Sequence, residues 1–63
     1  LNYSKLILTR VSFNYALFKK ELHKAIKNVN KEELILLRNW CLLMFGTSYG
    51  NLIVEAFKNA GLN

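Results

Sequence analysis

The chain has 63 residues, of which 52% are hydrophobic, and its formal net charge of +5 reflects four acidic residues against nine basic ones. Its one cysteine excludes an internal disulfide and a cysteine-rich zinc site. So short a chain forms one domain, over residues 1–63, and is only marginally stable as a monomer, which leaves oligomerisation as the remaining means of stabilising it.

The first predicted element covers about residues 3–9. Tyr3, Ile7 and Val11 share a helical stripe, but together with Phe13 they also fit one face of an extended strand. Because the sequence offers no second strand to pair with it, we favour a helix.

The second predicted helix begins after Ser12 or Asn14, either of which can be an N-cap, and runs to about Asn28. Its apolar face consists of Tyr15, Phe18, Leu22, Ala25, Ile26 and Val29. The opposite face is cationic, and with the first residue of the next helix it offers the candidate polyanion-binding residues Lys19, Lys20, Lys24, Lys27 and Lys31. We interpret this face mainly as a solvated surface, since it has little arginine and no interleaved aromatic residue.

A third helix is predicted from Lys31 to Gly46, since Asn30 and Glu33 form a capping-box pattern and Gly46 suits a left-handed C-cap. Thr47 or Ser48 then caps a fourth helix over residues 49–60, which Gly61 closes. The predicted fold is all-α, a compact three- or four-helix bundle with short antiparallel connections.

The segment from Leu34 to Phe45 is apolar on nearly every side of the predicted helix. A helix of this kind must be covered all round, and 63 residues offer little material for that. We therefore predict a protein interface on this helix, formed by Ile35, Arg38, Trp40, Leu42, Leu43 and Met44.

Residues suited to catalysis are scarce. His23, the only histidine, lies among lysines, and Cys41 lies in the middle of an apolar stripe where a cysteine behaves as a small hydrophobe. No spacing suggests a metal ligand set. We therefore expect no enzyme activity, no metal and no cofactor.

The leading hypothesis is a small, non-enzymatic helical interaction module that forms a homodimer or docks on another protein. One alternative is a basic, nucleic-acid-associated regulator that uses the lysine face. Another is a processed, cationic, membrane-active peptide, which would explain a chain that begins with Leu1. No stretch is long enough to span a bilayer, and the single cysteine favours the cytoplasm.

Overall fold

A computed structural model describes residues 2–62 as three helices, α1 (Asn2–Arg10), α2 (Tyr15–Asn28) and α3 (Lys31–Asn59). The described part contains no strand, so the helical interpretation of the first segment is confirmed and its strand alternative is wrong. The radius of gyration is 10.2 Å, close to the roughly 10.6 Å expected for a folded chain of this length. The protein is therefore all-α and compact. The two end residues of the predicted domain, Leu1 and Asn63, lie outside the described residues.

Two asparagines fix where α2 and α3 begin. The side chain of Asn14 accepts a hydrogen bond from the amide of Leu17 at 3.1 Å. The side chain of Asn30 accepts one from the amide of Glu33 at 2.8 Å, and the Glu33 carboxylate accepts one in return from the Asn30 amide at 3.2 Å. These bonds satisfy amides that the first turn of a helix leaves without partners. The predicted starts of both helices are confirmed.

The predicted helix end at Gly46 is wrong. Gly46 lies inside α3, and Gly61 is the only glycine with a positive φ in the described part of the chain. The interruption falls at Tyr49, whose backbone has φ −130° and ψ 23°, and the helix resumes to Asn59. The predicted fourth helix corresponds to the helical segment that follows Tyr49, which continues directly from the third helix across a kink and is counted here as part of α3. Glycine permits a left-handed helix end but does not impose one.

Tyr49 divides α3 into a first arm, residues 31–48, and a second arm, residues 50–59. A straight helix of 29 residues would be about 43 Å long, whereas the longest extent of the whole molecule is 27 Å. The two arms must therefore meet at a sharp bend. Glycines at positions 46 and 50 flank it, in keeping with the weak helix propensity of glycine.

The end of α3 is closed as the sequence predicts. Gly61 has φ 98°, and its amide donates to the carbonyl of Lys58 at 3.0 Å. The next amide, that of Leu62, donates to the carbonyl of Phe57 at 2.9 Å. This pair of bonds is a Schellman motif, which requires the left-handed conformation that glycine adopts without strain.

One apolar core lies between the helices and draws on both arms of α3. Its buried members are Leu8, Phe18, Leu22, Ala25, Leu34, Leu37, Cys41, Ile53, Ala56 and Phe57. Within the described residues no polar or charged side chain is buried with them. The bend therefore allows one long helix to cover the same core twice.

Candidate interaction surface

The most exposed apolar surface of α3 lies on its first arm. Ile35 is 43% exposed, Leu36 57%, Leu42 36% and Leu43 82%; we call these four residues the apolar quartet. Their positions are four and three residues before Asn39 and three and four residues after it. At 100° per residue they flank Asn39 on both sides, one turn before and one turn after. The core-facing residues of the same arm lie on the opposite side of the helix.

The quartet agrees in part with the predicted interface. Ile35, Leu42 and Leu43 were predicted members, and the structure leaves all three exposed. Leu36 was missed, although a signal was present: it lies seven residues before Leu43 and therefore on the same side of a helix. Met44, also predicted, is 53% exposed but lies about 100° around the helix from Leu43.

Trp40, another predicted interface residue, is only partly exposed. Its ring is half-buried and meets the Phe45 ring edge to face, with centroids 5.4 Å apart. The ammonium of Lys5 lies 5.5 Å from the Trp40 ring centroid, close enough for a cation–π interaction. Trp40 thus joins α1 to the first arm of α3 and contributes to the packing of its own chain.

Arg38, the remaining predicted residue, lines a groove between the two arms of α3. The groove has a volume of about 350 Å³. Its walls are formed by Arg38, Asn39, Leu42, Val54, Lys58 and Leu62. The Nη2 atom of Arg38 donates to the side-chain oxygen of Asn39 at 3.3 Å, while its Nε atom is buried without a hydrogen-bond partner. We call this feature the Arg38 groove.

Tyr49 stabilises the bend between the two arms of α3. Its ring stacks on Phe18, with centroids 4.5 Å apart and planes inclined by 16°. Its hydroxyl donates to the backbone carbonyl of Ser12 at 2.5 Å. Since Ser12 belongs to the connection between α1 and α2, this bond ties the bend to the other two helices. Sequence reasoning placed Tyr49 at the start of the predicted fourth helix and did not predict this role.

The predicted polyanion-binding residues are all on the surface. Lys19, Lys20, Lys24, Lys27 and Lys31 are exposed. His23, which lies among these lysines in the sequence, is half-buried. It lines a cleft of about 390 Å³ between α2 and the second arm of α3, with Tyr15 and Lys19 on its own helix and Glu55 on the other.

Cys41 is fully buried in the core. Loss of solvation raises the pKa of its thiol from 9.0 to about 12, an effect that the nearby positive charge of Lys5 opposes. A thiol is nucleophilic when it ionises, and burial holds this one in its neutral form. Its position agrees with the prediction that Cys41 packs as a small hydrophobe.

Residues 2–62 bring together no group of three or more His, Cys, Asp or Glu side chains suited to a metal ion. None of the described helices combines the length and the apolar character needed to cross a membrane.

Comparison with known proteins identifies no relative. No family model matches the chain, and no match is found among curated proteins or among solved structures.

Proposed function

We propose that this chain is a small, non-enzymatic helical interaction module that forms a homodimer through the apolar quartet on the first arm of α3. The observation that carries the proposal is the exposure of all four members, from 36% for Leu42 to 82% for Leu43. Single exposed leucines are normal on protein surfaces. Four on one side of one helix form a contiguous patch, and such patches mark interaction sites.

The arrangement around Asn39 suits a second copy of the same chain. If two first arms cross in an antiparallel sense with a two-fold axis near Asn39, Ile35 and Leu36 of one chain face Leu42 and Leu43 of the other. A two-fold interface requires such a self-complementary pattern. At its centre the two Asn39 amides can each donate to and accept from the other, and a polar pair within an apolar interface fixes the register of two helices.

The charge distribution also favours self-association. Arg38 is the only charged residue between Ile35 and Leu43, and the exposed lysines of α2 lie on the side of that helix that faces away from the core. Two chains that meet at the quartet therefore keep most of their positive charge apart. This arrangement limits the repulsion that a net charge of +5 per chain would otherwise impose.

The expected dimer is weak. A standard interface takes about 800 Å² from each partner, whereas the whole chain exposes 4376 Å², so such an interface would cover nearly a fifth of its surface. Burying a fully exposed leucine is worth about 1.5–3 kcal/mol, and association itself costs about 4–15 kcal/mol. Four partly exposed side chains per chain do not greatly exceed this cost, so we expect a weak dimer with a dissociation constant of roughly 1–100 μM.

Sedimentation velocity over a concentration series that spans this range tests the proposal. The wild-type chain should pass from monomer to dimer as its concentration rises. Leu43→Glu should remain monomeric, because it places two carboxylates in the apolar contact. Leu6→Glu is the matched control: Leu6 is a half-exposed leucine on α1, so this variant adds the same charge outside the quartet and should dimerise as the wild type does.

A wild-type chain that stays monomeric at the highest concentration would overturn the homodimer. Equal loss of dimer in Leu43→Glu and Leu6→Glu would show that charge, and not the quartet, governs association. The nucleic-acid alternative predicts a different result, namely binding to a duplex or single strand that weakens steeply with salt and is lost when Lys20, Lys24 and Lys27 become glutamine. A cytoplasmic location belongs to the proposal, since a lone buried thiol suits a reducing compartment.

A further inference from the structure

The Arg38 groove combines an apolar lining with two positive charges. Its exposed lining is mainly apolar, and the two cationic side chains, Arg38 and Lys58, belong to different arms of α3. No acidic side chain is among the described residues that line it. Its volume of about 350 Å³ lies within the range of small-molecule sites, near its lower limit.

The guanidinium of Arg38 is incompletely satisfied. Its one hydrogen bond to a protein group within the described residues is the 3.3 Å contact with the neighbouring Asn39 side chain. Its Nε atom is buried with no acceptor. A buried donor without a partner is unfavourable, and an arginine fork pairs best with a carboxylate, which accepts two parallel N–H bonds.

We propose that the Arg38 groove binds a medium-chain fatty acid. Arg38 and Lys58, on the two arms, bind the carboxylate. The alkyl chain packs along Leu42, Val54 and Leu62. The groove shares Asn39 and Leu42 with the proposed dimer contact, but Val54, Leu62 and the two cations lie outside the quartet, so ligand binding and self-association can be tested separately.

The lining favours an alkyl chain over a peptide terminus. The apolar residues of the groove are all aliphatic, and Asn39 is its only uncharged polar side chain among the described residues. A peptide would bring backbone amides and carbonyls into the groove, and each would need a partner once removed from water. A fatty acid brings a single polar group, which can pair with the two cations of the lining, Arg38 and Lys58.

Isothermal titration calorimetry with octanoate, kept below its micelle-forming concentration, tests the proposal. Octan-1-ol and octylamine provide the same chain with a neutral and a cationic head. Octanoate should bind at least tenfold more tightly than either. Nonspecific apolar binding would favour octan-1-ol, which is the least soluble of the three. In ¹⁵N-labelled protein, the amide signals of Leu42, Val54 and Leu62 should shift on addition of octanoate.

Arg38→Met keeps the length of the side-chain stem and removes the fork, and it should weaken octanoate binding at least tenfold. Lys58→Met should weaken it severalfold; because Lys58 is exposed, this variant retains the fold and keeps the test valid if Arg38→Met is unstable. Lys27→Met is the matched control: it removes an equally exposed lysine outside the groove and should leave affinity unchanged.

Equal binding of octanoate and octylamine would overturn the proposal, as would unchanged affinity in both groove variants. Tighter binding of N-acetyl-Leu-Leu with a free carboxylate than of octanoate would overturn the fatty acid in favour of a peptide terminus. Leu43 does not line the groove, so Leu43→Glu should bind octanoate like the wild type. Loss of dimerisation and loss of ligand binding are therefore distinguishable.

Discussion

The two arms of α3 belong to one helix and cover one core, but their outward sides differ. On the second arm, Ile53, Ala56 and Phe57 are buried, and the outward side carries mainly polar residues, with Val54 as its apolar exception. On the first arm, Leu34, Leu37 and Cys41 are buried, yet the outward side carries the apolar quartet.

This difference shows that the apolar residues of α3 have two separate explanations, one for the side that faces the core and one for the outward side. The core accounts for one face of each arm, and the second arm shows that the other face can be polar without loss of packing. The quartet is not part of the buried core, so the packing of the core does not by itself explain why its members are apolar. A helix that is apolar on both sides serves its own fold with one side, and the other is available to a partner.

Two adjacent leucines on the first arm test whether its two sides differ in this way. Leu37 is fully buried, whereas Leu36 is 57% exposed. Leu37→Ala leaves a cavity in the core and should lower the free energy of unfolding by about 2–5 kcal/mol. Leu36→Ala should change it by less than about 0.5 kcal/mol. Urea denaturation followed by circular dichroism, at a concentration where the chain is monomeric, measures both.

The contrast between these variants is more informative than either value. If Leu36→Ala destabilises the monomer as strongly as Leu37→Ala, its own chain must cover Leu36, and the outward side of the first arm is part of the core. At concentrations that favour the dimer, Leu36→Ala should in addition weaken association.

The contribution of the Tyr49 hydroxyl to the bend between the arms can be tested with one substitution. Tyr49→Phe removes the hydrogen bond to the carbonyl of Ser12 and keeps the ring stacked on Phe18. We expect a loss of about 1 kcal/mol in the free energy of unfolding, the usual net value of such a bond. Tyr3→Phe is the control, because Tyr3 is 74% exposed and its loss of a hydroxyl should have no measurable effect. Equal stability of Tyr49→Phe and wild type would show that ring stacking alone holds the bend.

The sequence predicted correctly those helix boundaries that depend on a capping residue. Asn14 and Asn30 cap helices because their side chains reach amides two or three residues ahead, and Gly61 closes α3 because its backbone can adopt a positive φ. Each capping contact joins residues that are close together in the sequence, so a local sequence pattern is sufficient to predict it. The buried face of α2 was likewise predicted from its helical spacing, with the exception of Tyr15, which is exposed.

The continuity of α3 through Gly46 and its bend at Tyr49 depend on contacts that are distant in sequence. Phe18 packs against both Phe45 and Tyr49, and Ser12 accepts the Tyr49 hydroxyl. The residues next to Gly46 in the sequence do not reveal these distant contacts. The Arg38 groove was missed for the same reason, because Arg38 and Lys58 line one groove only once the helix has bent.

The smallest predicted effects concern the glycines. Gly46 lies inside the helix, a Cβ added to it would have no neighbouring atom within 4 Å, and its φ is not positive. Gly46→Ala should therefore raise the free energy of unfolding by about 0.4–1 kcal/mol, since alanine restricts the unfolded chain and favours the helix. Gly61→Ala should lower it by about 1 kcal/mol, although space is equally open, because φ 98° is strained for alanine. Thermal unfolding of both variants measures the two shifts, and a destabilised Gly46→Ala would show that the bend needs a flexible residue before Tyr49.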